Sequence, residues 1–171
     1  MGVTGDITTD SGSQQLIDEC LSQTSGLDVL VNNYGVAEGG DWTSTPSEAW
    51  VGIYQKNVLS GVRLVHGFAP GMREQGQGRI IFVGTVGSLR PNSRMPHYYA
   101  SKAVLPNLCV SLARELRGTG ITVNVVSPGV IGTQEVRAML LRRAKKRGWP
   151  SCTDERYFGM RSLAARRRAA P

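Results

Sequence analysis

Residues 96–116, PHYYASKAVLPNLCVSLAREL, place Tyr98 and Lys102 four positions apart, and Thr85 adds a hydroxyl thirteen positions before that tyrosine. One turn of helix puts side chains at this spacing on one face, so the ammonium can favour the phenolate and draw its pKa below about 10. Such a pair suits proton transfer to or from an alcohol or carbonyl. The spacing also recurs by chance on helical surfaces, so the flanking sequence decides its meaning. Tyr99 would give a separation of three, one short of the helical four, and the role is assigned to Tyr98.

Outward from this stretch, apolar runs and helical patterns alternate. Leu27–Val31 reads as a short buried strand that delivers Asn32 and Asn33 to its carboxyl end, where open α/β sheets bind ligands. Before it, Thr9–Ser13 reads as a turn and Gln14–Gln23 as a short helix, and residues 3–7 could end a strand. After it, Thr45-Pro46-Ser47-Glu48 offers a cap, a proline at the first helical position and a glutamate at N3. That helix carries Trp50, Ile53, Asn57, Leu64 and Phe68, and Ala69-Pro70-Gly71 marks its end. Arg79–Thr85 is the next strand, with four consecutive apolar residues suited to a sheet covered on both faces. Ser88–Pro96, with His97 beside it, reads as loop, and a helix follows from about Tyr98 to Leu116. Pro106 breaks the donor to the Lys102 carbonyl and predicts a kink. Ile121–Val126 is a third strand, ending at Ser127-Pro128-Gly129. Strands alternating with helices specify a parallel sheet.

Together these residues resemble the short-chain dehydrogenase/reductase family, from about residue 4 to about residue 137. Asp6 in VTGDITTD matches the family's acidic residue at the adenine end of the cofactor. Asn32, Asn33 and Gly35 in DVLVNNYG match an Asn-Asn-Ala-Gly signature, with Tyr34 in place of the small alanine. Asn57 in YQKNVLSG matches an asparagine that holds a water in a proton relay. Thr85 stands where a serine is usual, and Tyr98 with Lys102 completes the catalytic set. Pro128, Gly129 and Thr133 in SPGVIGT match the loop along the nicotinamide. The resemblance implies hydride exchange between NAD or NADP and a small-molecule alcohol or ketone. Tyr98 would exchange the proton, Lys102 would hold the phenol acidic and bind the nicotinamide ribose, and Thr85 would hydrogen-bond the substrate oxygen. The long helices Ser47–Phe68 and Tyr98–Leu116 also resemble those of the family's dimer interface, which implies a homo-oligomer.

The comparison also defines what the pattern lacks. A dinucleotide site of this kind needs a first strand, a glycine-rich turn and a helix N-terminus to receive the pyrophosphate. Gly2, Gly5 and Gly12 do not follow a buried strand. In the family those elements occupy roughly 50 to 60 residues ahead of the position of Met1. The expectation is therefore a partial Rossmann-like, doubly wound α/β sheet over residues 1–137, lacking its first strands and phosphate loop. Residues 138–171 read as a basic, disordered extension. Two functional readings follow: an oxidoreductase, or an inactive fragment or incomplete gene product without cofactor binding.

Charge is divided unevenly. Residues 1–136 hold nine Lys/Arg and eleven Asp/Glu, whereas residues 137–171 hold eleven basic and two acidic residues, so the net +7 belongs to the tail. A scaffold that binds polyanions through Arg142, Arg143, Lys145, Lys146, Arg147 and Arg166–Arg168 is a third reading. It lacks a recognition fold, so no sequence-specific nucleic-acid partner is expected. Three separated cysteines without a CxxC suit a reducing cytosol, hence a cytoplasmic protein. His66 and His97 have no neighbouring ligands, so no metal is expected, and no apolar run is long enough for a membrane span.

Overall fold

The computed structural model describes residues 2–146. Its elements are α1 (Asp10–Gln23), β1 (Val29–Asn32), α2 (Ser47–Tyr54), a π-helical turn (Gln55–Leu59), α3 (Ser60–Gln75), β2 (Gly78–Val83), a 3-10 turn (Val86–Ser88), α4 (Pro96–Glu115), β3 (Ile121–Val126) and α5 (Gln134–Lys146). The chain divides into two compact units between Pro128 and Gly129. The first holds everything through β3. The second contains α5, where the Thr133 hydroxyl caps the helix by accepting from the Val136 N–H at 3.3 Å.

The sheet is three-stranded and parallel in the order β1-β2-β3. Leu30 pairs in register with Ile80, and Ile80 with Val123. This is a partial Rossmann-like α/β fold. All three strands end on the same side, so Asn32, Val83 and Val126 deliver the following loops to one rim.

The core lies on one face of the sheet. Leu30, Ile80 and Phe82 meet Leu64 and Phe68 of α3 and Leu105 and Cys109 of α4. Ile80 and Phe82 are fully buried, and each such side chain contributes about 1.5–3 kcal/mol through burial. On the other face Val29, Val31 and Val126 are 49%, 53% and 54% exposed. The expectation that Leu27–Val31 forms a fully buried strand is therefore corrected. Strand side chains alternate between faces, and the helices packed on the core cover one of them.

Several local expectations also change. Residues 2–6 form no strand. Helix α1 starts at Asp10, four positions earlier than expected, because the Thr9 hydroxyl accepts from Gly12 N–H and caps it. Thr45 does not cap α2. Its hydroxyl accepts from Asp41 N–H at 2.9 Å, and Pro46 occupies the N-cap position. Nor does Pro70 end the helix expected over Ser47–Phe68. Buried Phe68, Ala69 and Met72 hold the last turns of α3, which stops at Gly76 with φ 70°. There Gly76 N–H bonds to Arg73 O and Gln77 N–H to Met72 O, the paired bonds of a Schellman cap. Pro106 lies inside α4 as expected, and buried Leu105 and Cys109 anchor that turn on the core.

Candidate active site

Three chain segments converge at the rim of the sheet: the loop leaving β1, the π turn between α2 and α3, and the first two turns of α4. Asn57 sits in the π turn and is completely buried. Its Oδ1 accepts from Val36 N–H at 2.7 Å, while its Nδ2 donates to Val36 O and to Ser101 Oγ, both at 3.0 Å. Asn57 thus holds the loop from β1 as a neighbouring strand would. A π turn inside a helix is an uncommon local cost that recurs at functional sites.

Lys102 is also buried, and its Nζ donates to the carbonyl of Val83 at the end of β2, at 2.9 Å. Gly35 makes the approach possible. A Cβ there would lie 2.8 Å from Lys102 Nζ and 3.0 Å from Asn57 Oδ1. The structure therefore brings Gly35, Asn57 and Lys102 together. Thr85 joins them through Tyr98: burial raises the phenol's pKa, and hydrogen bonding with the Thr85 hydroxyl partly offsets that rise. Thr85 Oγ1 also accepts from Gly87 N–H at 3.2 Å, which starts the 3-10 turn. Pro128 reaches the same region by accepting from Val86 N–H at 3.1 Å.

Electrostatics at the pair differ from the sequence expectation. Burial is the largest influence on Tyr98 and raises its pKa above the ordinary phenol value, with Thr85 opposing and Tyr99 adding to the rise. Burial lowers that of Lys102. The ammonium is spent on the Val83 carbonyl, and the expected depression of the phenol by Lys102 is not seen. Tyr99, read as a decoy, packs edge-on against Tyr98 at 5.1 Å and lies over Gly87.

The remaining candidates are dispersed. Asn32 is buried against Gly61, with Oδ1 lacking a partner among the described residues. Asn33 is exposed and bonds to Val31 O. Asp6 is exposed, and hydrogen bonds from the Thr8 hydroxyl and N–H hold its carboxyl below the usual range. Gly129 and Thr133 belong to the second unit. Tyr34 lies near Lys56, whose ammonium is paired with Glu38 at 2.7 Å and has its pKa raised chiefly by that partner. His97 is not a loop residue. It lies in the first turn of α4, 1% exposed, with its ring 5.8 Å from Trp50, which stacks in turn on exposed Trp42. Trp149 and Arg147 lie outside the described residues, as does the tail from residue 147 onward.

The short chain dehydrogenase family description matches residues 1–143. The chain belongs to the short-chain dehydrogenase/reductase family. It is 34% identical over 131 residues to an uncharacterized oxidoreductase, YvaG, of Bacillus subtilis, covering 77% of this chain and 50% of that protein. To the 3-oxoacyl-[acyl-carrier-protein] reductase FabG of Escherichia coli it is 33% identical over 138 residues, covering 81% and 57%. Among solved structures, L-sorbose reductase from Gluconobacter frateurii, complexed with NADPH and L-sorbose, superposes with a TM-score of 0.78 at 31% identity, covering 85% of this chain and 56% of that one. The chain thus spans about half the length of these short-chain dehydrogenase/reductase relatives.

Fit to a dinucleotide can be tested on the described residues. Among the described residues β1 is preceded by α1 alone, and no strand stands before that helix to build the strand–turn–helix that receives a pyrophosphate. The N-terminus of α1 is capped by Thr9, whose hydroxyl accepts from Gly12 N–H, with Asp10 in its first turn. The described residues therefore do not fit the phosphate half of NAD or NADP. No membrane-length apolar helix and no potential metal-holding cluster occurs among them.

Proposed function

We propose that this chain carries the proton-handling half of a short-chain dehydrogenase/reductase, and that the 171 residues alone neither hold a nicotinamide dinucleotide tightly nor turn over. The observation that carries this reading is the three-stranded sheet with no strand–turn–helix ahead of β1 among the described residues, in a chain that spans about half the length of its relatives. The relatives' names supply the chemical class: a carbonyl or alcohol substrate and, by analogy with the NADPH-bound L-sorbose reductase, NAD or NADP as hydride partner.

Within that half, Tyr98 is the proton donor or acceptor. A phenol with a raised pKa retains its proton at neutral pH, the form required to protonate a carbonyl oxygen. Thr85 supplies a second hydroxyl beside it, aimed at the same oxygen. Its β-methyl restricts the rotamer, which narrows the accepted substrate relative to serine. Lys102 and Asn57 fix the floor under the pair through Val83, Val36 and Gly35. Asp6, Asn32, Asn33, Gly35, Pro128, Gly129 and Thr133 are proposed as the residues that meet the cofactor when the phosphate half is supplied.

A homo-oligomer is proposed through α3 and α4. Their outer sides form a groove of about 330 Å³ in which Val62, Val104, Leu108 and Leu112 stand beside Asn107 and Glu115. A second copy is the occupant suggested by the family resemblance.

The test is equilibrium titration of the purified chain with NADH and NADPH, with an alcohol and ketone turnover screen run on wild type and Tyr98→Phe. No saturation in the micromolar range and no Tyr98-dependent turnover is expected. Tight binding with turnover lost in Tyr98→Phe would overturn the fragment reading in favour of a complete oxidoreductase.

A further inference from the structure

We propose that Ser101 is the positioning residue of this site: its hydroxyl locks the turn from Tyr98 to Lys102 onto the Asn57 carboxamide and, through it, onto the chain leaving β1. Ser101 is 3% exposed, and its Oγ donates to the Tyr98 carbonyl at 2.7 Å. In helical geometry that carbonyl is also the acceptor for Lys102 N–H. One carbonyl thus gathers the acid's backbone, the lysine's backbone and the serine hydroxyl.

Hydrogen-bond direction makes the link specific. A serine hydroxyl has one proton, and it is committed to Tyr98 O, so the oxygen can only accept from Asn57 Nδ2, at 3.0 Å. The second Nδ2 proton goes to Val36 O, and Oδ1 takes Val36 N–H. A flipped Asn57 would set acceptor against acceptor at Val36 O and donor against donor at Val36 N. The polar atoms of this buried chain are all satisfied in one arrangement, which is the condition under which such a network rigidifies a site. The π turn at Gln55–Leu59 carries Asn57 within reach of both partners. Alanine would delete the link, and a larger residue would meet a site with almost no free surface.

The proposal rests on Tyr98 and Lys102 being the working pair. Its test needs no turnover. Amide exchange is measured by NMR on the full chain and on Ser101→Ala, together with the titration of Tyr98 followed at its ring carbon. Ser101→Ala is expected to accelerate exchange at Val36 and Lys102 by about tenfold or more while Ile80 and Phe82 in β2 stay unchanged. The Tyr98 midpoint should move from its wild-type position. Unchanged exchange at Val36 and Lys102, or equal acceleration in β2, would overturn the proposal. Should Ser101→Ala fail to fold, the wild-type chain still decides: the Asn57 side-chain amide protons must exchange slowly, and exchange at solvent rate would contradict the link. Loss of the link with Tyr98 dispensable to catalysis would instead sink the functional reading alone.

Discussion

The Lys102 ammonium donates to the carbonyl of Val83 at 2.9 Å, across from α4 to the end of β2, while the Tyr98 phenol one turn away takes its hydrogen-bond influence from Thr85. The two members of the pair are thus tuned separately. Burial raises the phenol and lowers the amine, so each favours its neutral form.

That separation has a pH signature. The folded-state pKa of Tyr98 lies above its unfolded value, so its contribution is fully present below about pH 10 and is lost as pH rises through the folded-state pKa. Wild type should lose stability relative to Tyr98→Phe as pH climbs past about 10. Thr85→Val, which removes the lowering influence, should push the Tyr98 midpoint higher still. Ring-carbon NMR titration reads both effects, and a downward shift in Thr85→Val would exclude the contact.

Asn57 is the most heavily bonded side chain of the site. Asn57→Ala leaves Val36 N–H and C=O without their partner and should cost roughly 2–4 kcal/mol. Urea unfolding would show it as a lower midpoint at unchanged slope.

Gly35 tests the close approach directly. Its added methyl in Gly35→Ala would meet Lys102 Nζ at 2.8 Å and Asn57 Oδ1 at 3.0 Å. The lysine end can swing away, but the fixed carboxamide cannot, so a loss of about 1–2 kcal/mol is expected. Asn57→Ala should therefore cost less in the Gly35→Ala background than in wild type, as a thermal-unfolding cycle would reveal.

Leu108 lines the groove between α3 and α4. Leu108→Glu should shift the chain from dimer towards monomer in light scattering at fixed concentration, because it removes an apolar contact and adds a second negative charge to a groove that Glu115 already lines. An unchanged mass in a dimeric wild type would place the interface elsewhere.

Much of the fold was legible in the sequence because its signals were local. The β-branched and aromatic runs of β2 and β3 match their strands, and the Tyr98/Lys102 spacing lies inside α4. Pro70 misled where burial overrode propensity: it sits within α3, anchored by the core residues Phe68, Ala69 and Met72 on either side. The exposure of Val29 and Val31 could not be read from an apolar run, which has the same appearance whether one face is covered or both. Ser101 and the Val36 backbone went unseen for another reason. Their partnership with Asn57 spans 44 and 21 positions, and a small serine in a helix carries no signal of a distant acceptor or donor. The pull of Lys102 on Tyr98 was misjudged because spacing shows only that two side chains share a face, whereas the Val83 carbonyl that takes up the ammonium arrives from another element.

The most direct test of the account is a chimera in which the glycine-rich strand–turn–helix half of a short-chain dehydrogenase/reductase relative is joined ahead of this chain, with nicotinamide absorbance followed in a ketone screen. NADPH or NADH binding by the chimera verifies the added half. The account predicts turnover that disappears in Tyr98→Phe while cofactor binding persists. A chimera that binds the cofactor yet turns over equally with and without the Tyr98 hydroxyl, or not at all, would contradict it.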